Sequence, residues 1–232
     1  MINLIRLTKV NSTNTYAKAL LKSGEPLFPH TVVYALEQTD GRGRMGRSWE
    51  SDKDGTLCMS LIIPHLCKAS VTLLAALGVH GALKDICPNL QIKWPNDIIT
   101  DNKKLCGVLT ESTAGGTVIG IGLNVNTSYF AEEICHKATS LRILTNRTFD
   151  REEILTKVAD NVFELIETHK GEFNESALSE YLPLCANINK QVSWDKNTGI
   201  ATGVTQEGAL LVKTETGIEE IQFGEVSVSS IY

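Results

Sequence analysis

The sequence lacks the features that mark a secreted, membrane-spanning or disulfide-stabilised protein. No stretch approaches the roughly 18 consecutive apolar residues of a membrane span, and the first residues do not form the apolar region of a signal peptide. The six cysteines are scattered through apolar segments without a C-x-x-C pair, a distribution typical of reduced, mostly buried thiols. We therefore expect a cytoplasmic protein that makes no contact with a membrane.

An excess of positive charge and the spacing of metal ligands are also missing. The formal net charge of −5 and the pI near 5.6 argue against a general nucleic-acid binder, whose contact face would be basic. The five histidines lack H-x-x-x-H spacing, so no structural metal is expected. The length of 232 residues and the hydrophobic content of 42% fit one large globular domain, or a medium domain followed by a small one.

What positive charge there is gathers at residues 41–49, Gly-Arg-Gly-Arg-Met-Gly-Arg-Ser-Trp. Glycine lets the backbone approach a ligand closely, and arginine offers permanently charged donors for phosphate and carboxylate oxygens. We interpret this stretch as a mobile anion-binding loop that orders over its ligand. A solvated basic loop without a ligand is the alternative.

The same glycines match G-x-G-x-x-G, the fingerprint of dinucleotide-binding folds. That fingerprint also requires a helix that begins at the glycines and an acidic residue about 20 positions further on. The residues after Gly46 have no apolar helical period, and Pro64-His65-Leu66-Cys67-Lys68 occupies the expected acidic position. The pattern therefore does not indicate a Rossmann site.

Apolar patterning predicts a mixture of strands and helices up to about residue 185 and only short strands after it. Strands are predicted at 2–7, 31–37, 56–63, 90–93, 98–100, 104–111 and 117–124, and helices at 16–22, 68–86, 151–166 and 173–182. Short strand-like runs separated by glycine turns follow, at 191–194, 199–204, 210–213, 218–223 and 225–229. They predict a small all-β module, most simply a barrel.

Two lysines occupy unusual positions, because Lys93 lies in an apolar strand and Lys104 begins another. A lysine that faces a core is costly unless it meets an anion, although its side chain can also extend to the surface. Asp97 lies in a Pro-Asn-Asp turn, where it suits a metal-bridged or hydrogen-bonded role or simply an Asx turn. The run 11–14, Asn-Ser-Thr-Asn, precedes a helix, and capping is favoured over ligand binding for it.

Taken in order and spacing, five segments resemble the biotin–protein ligases, also called biotin–[acetyl-CoA-carboxylase] ligases. They are Ser12-Thr-Asn14, the Gly/Arg stretch at 41–49, Lys93-Trp-Pro-Asn-Asp97, Lys104-Leu-Cys-Gly-Val-Leu-Thr-Glu111 and Gly120-Ile-Gly-Leu-Asn-Val-Asn126. The resemblance extends over nearly the whole chain. It implies an α+β fold in which a catalytic domain, residues 1–185, has a mixed β-sheet packed against helices. A small SH3-like β-barrel at residues 186–232 follows it.

The resemblance also implies a two-step reaction. ATP and biotin would form biotinyl-5′-AMP and pyrophosphate with Mg²⁺, and a lysine of a biotin carboxyl carrier protein would then attack the adenylate and release AMP. Fixed cations suit the approach of two mutually repelling anions, and a closing loop protects the hydrolysable adenylate from water. Two alternatives stay open: a lipoate or octanoate ligase or transferase of the same fold, and a non-catalytic binding module for biotin or a nucleotide.

Site residues follow from the matching motifs. Lys104, Arg44, Asp97 and Lys93 are the predicted catalytic residues, and Asp97 is the predicted Mg²⁺ ligand. The predicted biotin-binding residues are Ser12, Thr13, Asn14, Gln38, Arg42, Gly43, Arg44, Lys104 and Gly107. The predicted nucleotide-binding residues are Arg42, Arg44, Arg47, Trp49 and Asn124.

The sequence departs from the family pattern in its loop and at its start. Met45 stands where an arginine is common, and Asp40 places an anion beside the arginines. Some family members carry an N-terminal helix-turn-helix domain; this sequence starts directly at the catalytic motifs, so we predict no binding to nucleic acid. The choice between a monomer and a homodimer is left open.

Overall fold

A computed structural model describes residues 2–222, 226–228 and 231 of the chain, and its main element is a mixed sheet of seven strands in the order β1-β2-β3-β7-β6-β5-β4. β1 pairs with β2 in parallel, and the other neighbours are antiparallel. The strands are β1 (Asn3–Val10), β2 (Thr31–Gln38), β3 (Thr56–Ile63), β4 (Gln91–Lys93), β5 (Asp97–Thr100), β6 (Lys103–Thr113) and β7 (Gly116–Asn124). The predicted mixed sheet is confirmed.

Helices cover both faces of this sheet. They are α1 (Thr13–Ser23), α2 (Val71–Leu83), α3 (Leu141–Thr145), α4 (Arg151–Thr168) and α5 (Glu175–Tyr181). The Asp150 carboxylate accepts hydrogen bonds from the backbone N–H groups of Glu152 and Glu153, so α4 begins at the predicted cap. α2 is shorter than the predicted helix 68–86, because residues on either side of it form tighter i→i+3 turns.

Strand alternation separates a thick core from the face that carries the site. In β3, Leu57, Met59 and Leu61 belong to the large core beneath α2 and α4. On the opposite face, Ile62 packs with residues of α1, and Ser60 hydrogen-bonds the start of that helix. Side chains alternate between the faces of a sheet, so the polar and glycine positions of β3 and β7 share the face that α1 covers only in part.

The C-terminal module is an antiparallel sheet of five strands in the order β11-β10-β9-β8-β12. The strands are β8 (Gln191–Trp194), β9 (Asn197–Val204), β10 (Leu210–Lys213), β11 (Ile218–Ile221) and β12 (Ser227–Val228). The predicted all-β module is confirmed, and β11 and β12 lie at opposite edges of the sheet, with no pairing between them among the described residues. The parts of the predicted strands 218–223 and 225–229 at 223–225 and 229 lie outside the described residues. The boundary between 185 and 186 stays a prediction.

Edge strand β4 joins the two sheets. Ile92 forms a parallel bridge with Cys185, and the indole Nε1–H of the buried Trp94 donates to the carbonyl of Gly208, in the C-terminal module, over 2.9 Å. The backbone N–H of Trp94 donates to Asn187 Oδ1 over 2.8 Å. The segment that carries Lys93 and Asp97 is therefore fixed from the C-terminal side.

All six cysteines are free; four are buried, Cys67 is half-buried and Cys135 is exposed. Within the described ranges, no helix has the length and apolar character needed to cross a membrane.

Candidate active site

A cavity of about 1190 Å³ opens on the sheet face that α1 covers in part. Every site residue predicted from the sequence lines it: Ser12, Thr13, Asn14, Gln38, Arg42, Gly43, Arg44, Arg47, Trp49, Lys93, Asp97, Lys104, Gly107 and Asn124. Segments that are far apart in the sequence thus meet at one place. Their roles toward a ligand stay predictions.

One end of the cavity is a network of short, neutral side chains. Gln38 Oε1 accepts hydrogen bonds from the backbone N–H and the hydroxyl of Thr13, over 2.8 and 3.0 Å. The Ser60 hydroxyl lies 2.8 Å from Thr13 Oγ1 and 2.6 Å from Asn14 Oδ1. Ser12, Thr13 and Asn14 are all buried. Buried amides and hydroxyls held in this way present a fixed pattern of donors and acceptors.

Ser12 corrects the interpretation of residues 11–14 as a simple cap. It occupies the N-cap position of α1, yet in the described structure its hydroxyl makes no capping bond to that helix. The backbone N–H of Ser12 instead donates to the Asn11 side-chain oxygen over 2.7 Å. The first turn of α1 therefore faces the cavity with a hydroxyl that the helix does not use.

The Gly/Arg stretch at 41–49 forms a small hairpin. Arg42 and Ser48 make an antiparallel bridge, and the Gly43 N–H donates to the carbonyl of Arg47 over 2.7 Å. A tight turn at Arg44–Gly46 closes its tip, with the exposed Met45 at a φ of 53°. As the sequence analysis anticipated, Asp40 lies beside the arginines, 3.3 Å from Arg42. The described residues 47–55 form no helix, in agreement with the rejected Rossmann interpretation.

The Trp49 indole covers two glycines on adjacent strands. Gly107 and Gly122 are register partners on β6 and β7. A Cβ added at Gly122 would lie 2.4 Å from the indole, and one added at Gly107 would lie 3.2 Å from it. Lys104 Nζ lies 5.4 Å from the centroid of the ring, within the range of a cation–π contact. The glycines therefore provide the floor on which a flat group can lie.

Charged side chains gather at the other end of the cavity. Lys104 Nζ lies 2.7 Å from Asp97 Oδ1, and Lys93 is the register partner of Asp97 across the turn between β4 and β5. Burial lowers the pKa of Lys93, and the nearby Lys104 lowers it too, against the opposite effect of Asp97. Burial also lowers the pKa of Arg44. An anionic ligand would relieve this crowding of positive charge.

Asn96 is a functional candidate that the sequence analysis missed. Its Nδ2 donates to the carbonyl of Val108 over 2.9 Å, and its Oδ1 accepts a hydrogen bond from Arg44 over 3.1 Å. The buried amide therefore ties the tip of the Arg hairpin to β6. Its place between Pro95 and Asp97, in a motif already singled out, was the available signal.

A further wall of the cavity, which the sequence motifs did not predict, is formed by residues 127–138 and by Val226 and Ser227 of the C-terminal module. The Lys104 N–H donates to the carbonyl of Lys137 over 2.7 Å, and Thr139 N–H donates to the carbonyl of Lys104 over 2.9 Å. Asn124 Nδ2 donates to the carbonyl of Thr139 over 3.1 Å. The exposed aromatic residue Tyr129 was a weak signal for this wall.

This geometry suits an elongated ligand with a neutral, hydrogen-bonding head and an anionic tail. The biotin/lipoate A/B protein ligase family model matches residues 6–128, and the biotin protein ligase C-terminal domain model matches residues 195–229. The first match spans more than half of the chain. The chain belongs to the biotin/lipoate A/B protein ligase family.

Named relatives resemble the chain over nearly all of its length. The bifunctional ligase/repressor BirA of Bacillus subtilis is 33% identical over 243 residues, covering 97% of this chain and 74% of the relative. The biotin–[acetyl-CoA-carboxylase] ligase of Paracoccus denitrificans is 30% identical, with 95% and 98% covered. The biotin protein ligase of Aquifex aeolicus in complex with biotin and ATP superposes with a TM-score of 0.85 at 33% identity, with 98% and 99% covered.

Proposed function

We propose that this chain joins biotin to protein in two steps. The first condenses biotin with ATP to biotinyl-5′-AMP and pyrophosphate. In the second, a lysine amine of a biotin carboxyl carrier domain attacks the biotinyl carbonyl, the bond to phosphate breaks, and AMP leaves. The observation that carries the proposal is the single cavity that joins a neutral polar end to a cluster of cations.

The charges of the two reactants explain why the cations stand together. The carboxylate of biotin and the α-phosphate of ATP repel each other, so their approach requires fixed positive charge. Lys104 and Arg44 supply it between the two groups, and Lys93 adds charge from the strand behind. Asp97 holds Lys104 in place through the 2.7 Å ion pair. Held in this arrangement, the carboxylate is brought within reach of the α-phosphorus.

The remaining residues bind the two ends of the intermediate. Ser12, Thr13, Asn14 and Gln38 hydrogen-bond the ring of biotin, and Gly107 leaves room for it. Arg42, Gly43 and Arg44 lie along the biotin tail and the phosphate, while Arg47, Trp49 and Asn124 hold the nucleotide. Because the adenylate is hydrolysable, the hairpin at 41–49 and the wall at 127–138 exclude water from it.

Mg²⁺ fits this site as a companion of the nucleotide. Among residues 2–222, 226–228 and 231, no three His, Cys, Asp or Glu side chains are grouped as a metal site. Mg²⁺ commonly binds through one or two carboxylates together with substrate phosphates. We propose that Asp97 would be the carboxylate that holds it beside the ATP, where it would neutralise charge on the phosphates.

A lipoate or octanoate ligase is the runner-up, since the family includes both types of enzyme. The hydrogen-bonding head of the cavity favours biotin, because a dithiolane ring or an alkyl chain would leave that head without partners. We further propose that the chain acts without binding operator DNA, which a gel-shift assay checks. Size-exclusion chromatography with light scattering separates a monomer from a homodimer.

The deciding experiment incubates the purified chain with ATP, Mg²⁺, labelled biotin and a carboxyl carrier domain. We expect pyrophosphate release that depends on biotin, and label on a single carrier lysine. Lipoate in place of biotin is the matched comparison. Pyrophosphate released with lipoate but not with biotin would reassign the enzyme, and tight biotin binding with no pyrophosphate would make it a binding module.

A further inference from the structure

An ion pair behind the neutral end of the cavity holds the amide of Asn14. Glu111, on β6, accepts hydrogen bonds from Lys18 Nζ over 2.5 Å and from Asn14 Nδ2 over 2.8 Å. Its side chain is 26% exposed and that of Lys18 is 22% exposed, so the pair is partly shielded from solvent. Burial raises the pKa of Glu111, but the hydrogen bonds from Lys18 and Asn14 outweigh this effect, and its pKa is lowered overall.

The ionised carboxylate determines which way the Asn14 amide points. A carboxylate accepts hydrogen bonds and does not donate them, so Asn14 turns its Nδ2 toward Glu111 and also toward the carbonyl of Leu109, at 3.3 Å. Asn14 Oδ1 is then directed at Ser60 Oγ, 2.6 Å away. Gly120 makes room for this oxygen, because a Cβ there would lie 2.3 Å from it.

The amide of Gln38, on β2, also directs its oxygen toward a hydroxyl, that of Thr13. Its Oε1 accepts the backbone N–H of Thr13 over 2.8 Å, and a backbone N–H can only donate. Two amide oxygens therefore face the two hydroxyls of Ser60 and Thr13. The three oxygen–oxygen contacts that result measure 2.6, 2.8 and 3.0 Å.

Each hydroxyl carries one proton, so two protons serve three contacts. These four oxygens therefore have one proton fewer than their three contacts need, and three of the four residues, Thr13, Asn14 and Gln38, line the cavity. A ligand that brings an N–H group completes it, whereas a ligand without one leaves a buried acceptor unpaired, which is costly. The cyclic urea of biotin brings such N–H groups.

We propose that Glu111 and Lys18 are positioning residues that set this requirement for an N–H donor, acting on the ligand through Asn14. The inference rests on the proposed function, because it assumes that the neutral end receives the ring of biotin. Lys18 keeps Glu111 ionised and in place, Glu111 orients Asn14, and Asn14 Oδ1 accepts the hydrogen bond of the Ser60 hydroxyl. Ligand selectivity at this end is thus controlled by an ion pair whose two side chains lie behind the residues that line the cavity.

Glu111→Gln tests the proposal, because a neutral amide can also donate to Asn14 Oδ1. Asn14 could then turn its Nδ2 toward Ser60 and supply the missing proton, at the cost of its weaker 3.3 Å hydrogen bond to the Leu109 carbonyl. The measurement is the affinity, by isothermal titration calorimetry, for biotin and for a cyclic carbamate analogue in which oxygen replaces one ring N–H. We expect wild type to prefer biotin by roughly tenfold or more, and Glu111→Gln to lose most of this preference while its affinity for ATP is unchanged.

Lys18→Met is the second variant and should narrow the preference by roughly threefold, since Asn14 and Glu111 remain in contact. If Glu111→Gln does not fold, the measurement on Lys18→Met alone tests the proposal. Glu172→Gln is the matched control: it breaks an exposed Lys–Glu pair of 3.0 Å, with Lys68, and should leave the preference unchanged.

The outcomes separate this inference from the proposed function. Equal losses of affinity for biotin and the carbamate in Glu111→Gln would overturn the positioning role, because a purely structural defect affects both ligands alike. An unchanged preference in Lys18→Met, with Glu111→Gln unfolded, would overturn it as well. A wild-type chain that binds no biotin would instead refute the proposed function.

Discussion

The two ends of the cavity are built in opposite ways. At the neutral end, short side chains from α1, β2 and β3 hold one another through contacts of 2.6 to 3.0 Å. At the charged end, long side chains from the Arg hairpin, β4 and β6 converge, and burial lowers the pKa of both Lys93 and Arg44. The side chains of the first end are held in place by one another before a ligand arrives. The second concentrates positive charge that an anion would neutralise.

This contrast indicates that the neutral end recognises the ligand and that the charged end supports the chemical step. A rigid end selects a ligand by the match of donors and acceptors, because each unmatched buried group costs free energy. A cluster of cations stabilises the transition state most where negative charge develops in the reaction. Changes at the charged end should therefore affect turnover more than changes at the neutral end, which should affect selectivity.

The largest effect should follow Lys104→Ala, which removes the cation between the two reactants. We expect biotin-dependent pyrophosphate exchange to fall by about 10² to 10³ fold, while the thermal midpoint stays close to that of wild type. Lys103→Ala, on the neighbouring residue of the same strand, is the control. Near-normal exchange in Lys104→Ala would show that the charged end does not act on the chemical step.

Arg44→Gly should weaken retention of the adenylate more than its formation, because it removes the tie between the hairpin tip and Asn96. We expect released biotinyl-5′-AMP to rise on the order of tenfold, with label on lysines of a bystander protein. Gel analysis of labelled albumin added to the reaction measures this release. Arg147→Gly, outside the cavity, is the control, and label confined to the carrier in both variants would contradict the prediction.

Lys93→Met should raise the stability of the protein while it lowers its activity. The folded-state pKa of Lys93 lies below its ordinary value, so its positive charge costs stability at neutral pH, and the cost disappears as pH rises through the folded pKa. We expect the variant to gain about 1 kcal/mol in the free energy of unfolding at pH 7 and to lose pyrophosphate exchange.

Denaturant melts at pH 7 and pH 10 check the sign of this effect. The advantage of Lys93→Met over wild type should shrink at the higher pH. A variant that is less stable than wild type at pH 7 would mean that the cationic end is not crowded with charge in the free protein.

The smallest effect concerns two thiols. Burial raises the pKa of Cys58 to about 12, whereas Cys135 is exposed, and the thiolate is the reactive form. Iodoacetamide at pH 8 should therefore modify Cys135 and spare Cys58, as peptide mass spectrometry would show. Rapid modification of Cys58 would indicate that the cavity floor opens in solution.

Much of this architecture was predictable from local sequence. β3 occupies the predicted residues 56–63, and the start of α4 at Asp150 follows from its capping pattern. The meeting of Lys93, Asp97 and Lys104 followed from the family resemblance, because the motifs are distinctive in order and spacing. Short apolar runs bounded by glycine and proline reveal strands well, since burial decides their composition.

The rest depends on contacts between distant segments. The five residues of α3 are too few to show an apolar period. Asn96 lies in a motif where the charged residues Lys93 and Asp97 gave the stronger functional signal. The pairing of Glu111 with Asn14 spans 97 residues, and it depends on the packing of α1 across the face of the sheet that includes β6. Such packing between distant segments is not visible in local propensity.

Trp49 has one more consequence. Its indole rests on Gly107 and Gly122, whereas the buried Trp94 lines the cavity at another point and Trp194 is buried outside it. A ligand entering beside Lys104 must share that floor or shift the ring, so the emission of the Trp49 indole should change with occupancy. The protein thus carries a built-in optical reporter at its own binding site, and a Trp94→Phe, Trp194→Phe double variant would isolate its signal.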